Sequence, residues 1–283
     1  VSMVLDVTGS MNWKNNGVAK IDELKTAAKA GVKEFIDNSS GNTRVAIVPY
    51  SSSINSGPLK SAVVDELGAP ITVSACATER RGSQMFTDAG PSLAKVTQAK
   101  GVPCPTTPLQ LLTKDSKKLI ALIDSMKAGG TTAGQIGLQW GWYILSSNWS
   151  SMYPAASKPV NYGTANVDKF LVLMTDGLFN TQSSGLSGAS VPNYAGISTL
   201  SGRLAMTYCD AIKAKKVKLF TIGFRLNEIP VASEKTEAFR LLRDCASTPL
   251  AGETTFFNAE NGAELTAAFK EIAKRVERVT LTN

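Results

Sequence analysis

Short apolar runs alternate along the chain with longer stretches whose apolar residues recur at helical spacing. Val1–Leu5, Arg44–Tyr50 and Lys169–Met174 have the length and composition of strands buried in a parallel sheet. Between the first two, Val18–Asp37 carries its apolar residues on one helical face. A strand, a helix and a strand in this order predict a right-handed crossover that joins two parallel strands.

The rest of the chain continues this alternation. Periodicity predicts helices over Asp115–Lys127, Ala133–Ser146, Ser201–Lys215, Glu234–Cys245 and Ala263–Val276, and strands over Val217–Phe224, Thr254–Phe257 and, at an edge, Val279–Leu281. Such alternation is typical of an α/β fold with a doubly wound, mostly parallel sheet flanked by helices.

Residues 51–114 break the pattern. They are rich in serine, proline and glycine, show little periodicity, and offer one short candidate strand at Ile71–Val73. A loop of this length is unusual unless it is functional or cross-linked. We therefore predict a single domain over residues 1–283 with a loop-rich insertion at 51–114 that a disulfide holds together.

The cysteine and histidine counts exclude several kinds of site. The chain has 283 residues with four cysteines, no C-x-x-C motif and no histidine, which argues against a zinc site and against Ser-His or Cys-His catalysis. Four cysteines fit two disulfides in an oxidising compartment, and we predict Cys76–Cys104 and Cys209–Cys245. The alternative is four buried thiols in a cytosolic protein.

The net charge of +7 does not indicate a nucleic-acid-binding protein. Its densest basic cluster, Lys213–Lys218, lies where a helix passes into a strand and has no interleaved aromatic residues. The sequence contains no run of about 18 apolar residues, which is the length that a membrane-spanning helix needs. Because the sequence starts inside a strand without Met or a leader, we expect it to be part of a longer protein.

Oxygen-bearing side chains follow two of the predicted strands and precede one helix. Asp6, Thr8 and Ser10 come after the first strand, Asp176 follows Lys169–Met174, and Thr131-Thr132 follows a Gly-Gly turn. The carboxyl ends of parallel strands meet at one edge of a sheet, where ligands bind. Carboxylates and hydroxyls suit a hard cation such as Mg²⁺. The same residue types also serve as ordinary helix caps and turns.

The combination D-x-T-x-S, a threonine after Gly-Gly, and T-D-G after a buried strand resembles the von Willebrand factor A domain and its metal-ion-dependent adhesion site. The resemblance implies a metal site made of Asp6, Thr8, Ser10, Thr132 and Asp176, holding Mg²⁺, or alternatively Mn²⁺ or Ca²⁺. The spacing to Gly137-Leu138 favours Thr132, whereas the Gly-Gly-Thr pattern would select Thr131. In that family the free metal position accepts a carboxylate from a partner protein.

Several segments also resemble the TadG-type proteins of bacterial tight-adherence (Flp) pilus assembly, including Asp6–Met11, Thr132–Trp142, Leu173–Gly177, Phe220–Phe224 and Leu241–Ala246. This narrower resemblance implies an extracytoplasmic location, in the periplasm or at the cell surface. It also implies a membrane anchor upstream of Val1, and partners among pilus or envelope components.

Two other functions compete with metal-dependent adhesion. One is a structural envelope or pilus subunit whose metal only braces the loops. The other is a magnesium-dependent phosphohydrolase with a strand-end aspartate as nucleophile. The sequence disfavours an enzyme, because Thr8 occupies the position where haloacid-dehalogenase-like enzymes place a second aspartate, and because no P-loop motif is present.

Overall fold

The computed structural model describes residues 1–37, 42–72, 74–186 and 190–282. The strands are β1 (Ser2–Asp6), β2 (Lys14–Asn15), β3 (Val18–Ala19), β4 (Val45–Tyr50), β5 (Ile54–Asn55), β6 (Val63–Val64), β7 (Cys76–Ala77), β8 (Val96–Thr97), β9 (Gln110–Thr113), β10 (Phe170–Thr175), β11 (Lys218–Phe224) and β12 (Phe256–Ala259). The α-helices are α1 (Lys20–Ile36), α2 (Ser116–Ser125), α3 (Gly134–Leu145), α4 (Leu200–Ala214), α5 (Ala232–Cys245) and α6 (Gly262–Thr282). Short 3-10 helices occupy Gly9–Asn12, Gly57–Ala62, Ser147–Met152, Ala155–Ser157, Ser184–Leu186 and Leu226–Glu228.

One central sheet organises these elements. Its strand order is β12-β11-β10-β1-β4-β5-β7, and β9 also pairs with β4. The pairs from β12 to β4 are all parallel, whereas β5, β7 and β9 join in antiparallel fashion. The predicted doubly wound, mostly parallel sheet is therefore confirmed. Because β1 lies between β4 and β10, its carboxyl end is at the centre of the edge where ligands bind in such sheets.

Strand β1 contributes to two cores, because successive side chains point to opposite faces of the sheet. Met3 and Leu5 lie in a buried apolar cluster with residues of α1, α2 and α6, whereas Val4 lies in a second cluster with residues of α3, α4 and α5. Helix α3 packs especially closely on β1. A Cβ atom at Gly137 would lie 2.7 Å from Val4 Cγ1, and one at Gly141 would lie 2.5 Å from Val4 Cγ2.

The helix predictions agree with the structure to within two residues, except that α6 ends six residues after the predicted Val276. Outside the 51–114 segment, two strand predictions disagree with the structure. Strand β12 begins two residues later than the predicted Thr254–Phe257. The edge strand predicted at Val279–Leu281 is wrong, because α6 continues to Thr282. Leu265, Phe269 and Val276 keep one face of α6 buried in the cluster shared with α1. This packing outweighs the weak strand preference of β-branched residues near the helix end.

The 51–114 segment contains more sheet than its composition predicts. Strands β5 and β7 extend the sheet beyond β4, and β9 runs antiparallel along the amino-terminal half of β4. Strands β6 and β8 form a separate parallel pair. Of the strand predicted at Ile71–Val73, the first two residues lie outside any strand and Val73 lies outside the described residues.

Both predicted disulfides are confirmed. Cys76 in β7 is bonded to Cys104 within the 51–114 segment, and Cys209 in α4 is bonded to Cys245 at the end of α5. Among the helices of the described ranges, none combines the length and the apolar character that a membrane span requires.

Candidate metal centre

Asp6 ends β1 and is completely buried between the two neighbouring strands. Its Oδ1 accepts a hydrogen bond of 2.8 Å from the backbone N–H of Thr8, which fixes the turn after the strand. Its Oδ2 accepts one from Thr175 Oγ1 on β10 at 2.7 Å and one from the Tyr50 hydroxyl on β4 at 3.2 Å. The carboxylate is therefore held by residues at the carboxyl ends of three adjacent strands.

The hydroxyls after Asp6 connect it to the second predicted carboxylate. Thr8 Oγ1 and Ser10 Oγ lie 3.1 Å apart, and Ser10 Oγ donates a hydrogen bond of 2.7 Å to Asp176 Oδ1. Asp176 directly follows β10 and is also buried. Four of the five predicted ligands thus form one continuous hydrogen-bonded group, although 166 residues separate Ser10 from Asp176.

The fifth predicted ligand lies on a loop that backbone hydrogen bonds attach to this group. Gly9 donates its N–H to the carbonyl of Gly130 at 2.9 Å, and Gly129 donates to the carbonyl of Val7 at 2.8 Å. Gly130 has a φ of +82°, and a Cβ there would lie 2.8 Å from Ser52 Oγ, so a larger residue would be strained and crowded. Position 130 therefore favours glycine, and the backbone bonds of Gly129 and Gly130 hold the loop that carries Thr131 and Thr132 next to the Asp6 loop.

The two candidate threonines face different neighbours. The Thr131 hydroxyl lies 2.9 Å from Ser52 Oγ, and the Thr131 N–H donates to the same oxygen. Thr132 is buried, and its backbone pairs with Asn180 in the loop after Asp176. Within the described residues, the Thr132 hydroxyl has no hydrogen-bond partner. The Thr132 hydroxyl is thus the one left available for another ligand.

Burial and mutual repulsion of the carboxylates set the electrostatics of the group. Loss of hydration on burial, followed by repulsion from Asp176, raises the pKa of Asp6 from its ordinary value of 3.8 to about 6. The hydrogen bonds from Thr8 and Thr175 oppose this shift. Burial, with the negative charge of Asp6 next in effect, also raises the pKa of Tyr50 well above its ordinary value. A nearby positive charge would relieve the repulsion between the two carboxylates.

Sequence reasoning missed one positive charge at this place. Lys20, the first residue of α1, has its Nζ 3.1 Å from Asp176 Oδ2 and 3.3 Å from Glu228 Oε2. A lysine is unfavourable at a helix N-terminus, where the macrodipole is positive. That position was the local signal that Lys20 has an acidic partner, but the sequence does not identify which one.

The donor set suits a hard cation. It contains only carboxylate and hydroxyl oxygens, which hard cations prefer. Among the described residues, no group of three or more His, Cys, Asp or Glu side chains is placed to hold a metal ion, so the hydroxyls would have to supply the remaining ligands. Hydroxyl-rich, carboxylate-poor oxygen sites are compatible with Mg²⁺, which commonly retains several waters.

No protein-family model matches the chain, and no curated protein matches it as a relative. Similar solved structures include the pilus adhesin SpaC from Lactobacillus rhamnosus GG in its open conformation, with a TM-score of 0.56, 14% identity, and coverage of 98% of this chain and 30% of that one. The vWF domain of the type V pili tip protein Mfa5 from Porphyromonas gingivalis has a TM-score of 0.54 and 15% identity, and the match covers 97% of this chain and 93% of that one.

The adhesive tip pilin GBS104 from Group B Streptococcus agalactiae has a TM-score of 0.56 and 15% identity, and the match covers 97% of this chain and 98% of that one. The chain thus spans about a third of the SpaC structure but nearly all of the other two. Identities this low establish the fold alone. The chain therefore has the fold of a von Willebrand factor A-type domain.

Proposed function

We propose that the chain is a metal-dependent protein-binding module that acts in adhesion, with a cation site made of Asp6, Thr8, Ser10, Thr132 and Asp176. One observation carries the proposal. Two buried carboxylates and two hydroxyls are joined in one hydrogen-bonded group at the carboxyl edge of β1, where the Asp6 pKa is raised partly because Asp176 is near. Mg²⁺ suits this donor set best, with Mn²⁺ or Ca²⁺ as alternatives.

The kind of partner follows from the same donor set. When bound, the cation would act as a Lewis acid toward an oxygen ligand from outside. The hydroxyls of Thr8, Ser10 and Thr132 are neutral, so only Asp6 and Asp176 offset its charge. Five side chains, some acting through water, leave room in an octahedral shell for a further oxygen. We infer that the partner is a protein that contributes a carboxylate.

Two further findings support an adhesive, extracytoplasmic role. The similar structures include two bacterial pilus adhesins or tip pilins and the vWF domain of a pilus tip protein. Both cysteine pairs form disulfides, which persist mainly in oxidising compartments such as the periplasm or cell surface. Within this setting we favour the narrower assignment to TadG-type pilus assembly, with pilus or envelope components as partners.

The residues of the site favour binding over catalysis. All four cysteines are in disulfides, and the sequence has no histidine to act as a general base. The Asp6 carboxylate, the strand-end residue that a phosphohydrolase would use as nucleophile, is buried and accepts three hydrogen bonds. These hydrogen bonds disfavour nucleophilic attack by Asp6 but still allow it to bind a cation through water.

Titration calorimetry with MgCl₂ and MnCl₂ tests the site. We expect saturable binding to the wild-type protein and none to Asp176→Ala. The matched control is Asp124→Ala, which removes a half-exposed carboxylate on α2 that pairs with Lys29. Equal binding by wild type and Asp176→Ala would refute the site assignment.

A second experiment tests the adhesive role. Beads carrying a glutamate-containing peptide library would be screened with the wild-type protein in Mg²⁺ and again in excess chelator. If adhesion acts through the cation, the chelator should release the selected peptides, and the Asp6→Ala variant should not bind them. If cation binding is confirmed but the selected peptides bind equally in chelator, the metal only braces the loops.

A further inference from the structure

Lys20 occupies an unusual position for a lysine. Its side chain is only 2% exposed, and its ammonium lies between Asp176 Oδ2 at 3.1 Å and Glu228 Oε2 at 3.3 Å. The other oxygen of Asp176, Oδ1, accepts the hydrogen bond from Ser10. Both oxygens of the second predicted metal ligand are thus engaged by groups of the protein itself.

Packing alone does not account for this lysine. A buried ammonium is costly unless it is paired, and the N-terminal end of α1 adds an unfavourable dipole. The two acidic partners offset these costs, but only one of them belongs to the proposed metal site. Asp176 belongs to the proposed metal site, whereas Glu228 lies outside it, on a loop 3-10 helix after β11.

We propose that Lys20 is a built-in competitor of the metal: its ammonium neutralises Asp176 until a divalent cation binds, and it then pairs with Glu228 alone. This inference rests on the proposed metal site. Two positive charges that face one carboxylate across a few ångströms repel each other strongly in a buried setting. Lys20 therefore weakens cation binding, and it offsets part of the repulsion between the two carboxylates when no cation is bound.

The surroundings of Glu228 suit it to receive the displaced charge. Glu228 Oε1 accepts hydrogen bonds from Arg225 Nη1 and Asn15 Nδ2, each at 3.2 Å, which fix the carboxylate and leave Oε2 facing Lys20. These contacts and the neighbouring Lys20 and Arg225 charges keep the pKa of Glu228 below its ordinary value despite partial burial. A short rotation of the Lys20 side chain toward Glu228 would free Asp176 Oδ2 and keep the ammonium paired with a carboxylate.

Titration calorimetry with MgCl₂ on variants of Lys20 tests the inference. Lys20→Met removes the charge but keeps an unbranched stem, and we expect it to bind Mg²⁺ at least tenfold more tightly than the wild type. Lys20→Gln is neutral but can still donate a hydrogen bond to Asp176, and we expect the same gain in Mg²⁺ affinity. It replaces Lys20→Met if that variant does not fold. Lys20→Arg keeps the charge and should bind no more tightly than the wild type.

Lys29→Met is the matched control, because Lys29 lies on the same helix and pairs with Asp124 at the surface. It should change the dissociation constant less than twofold. Tighter binding by the neutral Lys20 variants supports competition, including the case in which only they bind measurably. If the wild type binds Mg²⁺ as tightly as the neutral Lys20 variants, or more tightly, the proposed competition is overturned and the proposed function is left intact. No Mg²⁺ binding by any variant overturns both.

Discussion

Replacing Asp6 with asparagine is expected to stabilise the metal-free protein at neutral pH while abolishing cation binding. The substitution removes a buried charge but fits the existing hydrogen bonds. The asparagine oxygen can accept from the Thr8 N–H, and its amide can donate to the Thr175 and Tyr50 hydroxyls. Those hydroxyls have other acceptors within reach, since Thr175 Oγ1 lies 3.2 Å from the Gly177 carbonyl and the Tyr50 hydroxyl lies 3.3 Å from the Met174 carbonyl.

The magnitude follows from the pKa of Asp6. Folding raises this pKa from 3.8 to about 6, so the folded protein binds the proton more tightly than the unfolded chain. Below pH 3.8 the carboxyl of Asp6 is protonated in both states and costs no stability. Its ionisation lowers the free energy of unfolding increasingly between pH 3.8 and about pH 6, and by a constant amount at higher pH. A shift of this size corresponds to about 3 kcal/mol. Asparagine does not titrate, so the variant avoids this cost.

Urea unfolding of both proteins in excess chelator, with disulfides intact, measures the effect between pH 4 and pH 8. We expect the variant's advantage in unfolding free energy to grow by up to about 3 kcal/mol over this range. A difference between the two proteins that does not change with pH would refute the electrostatic reasoning. Adding Mg²⁺ at a hundred times its dissociation constant should stabilise only the wild type, by about 2.7 kcal/mol.

Three further outcomes are expected. In calorimetry, Thr132→Val should lose Mg²⁺ binding and Thr131→Val should keep it, because the Thr131 hydroxyl is already bonded to a serine after β4; the opposite result would assign the ligand to Thr131. Replacing Cys209 and Cys245 together with serine should lower the unfolding free energy by about 3–4 kcal/mol, since their bond closes a loop of 36 residues; an unchanged urea midpoint would contradict this. Gly137→Ala should cost about 1–3 kcal/mol, because its Cβ would crowd β1 and the tyrosine ring behind Asp6, and a thermal melt equal to that of the wild type would show that α3 can shift without cost.

Local patterns in the sequence were sufficient to predict most of the fold. Apolar runs such as Lys169–Met174 can be satisfied only by burial on both faces of a parallel sheet. Helical periodicity located each helix between them. The end of the chain shows the limit of this reasoning. Val279–Leu281 has strand-like composition, but α6 continues through it because its preceding turns pack on α1.

The candidate site was predicted in part for the same reason. Asp6 and Asp176 each follow a buried strand, and parallel strands bring their carboxyl ends to one edge, so local sequence was enough to expect them together. The bond from Ser10 to Asp176 is consistent with that expectation. That these residues hold a metal is a proposal that calorimetry must test.

The sequence by itself determined the order of strands and helices, the polar loops that follow the strands, and a cysteine spacing that fits two disulfides. Only the tertiary structure decided which distant side chains meet. Lys20 contacts Asp176 across 156 residues, and Tyr50 contacts Asp6 across 44. Such contacts depend on strand register and on how α1 docks against the sheet edge. No local periodicity encodes either, because both are fixed by the packing of elements that are far apart in the chain.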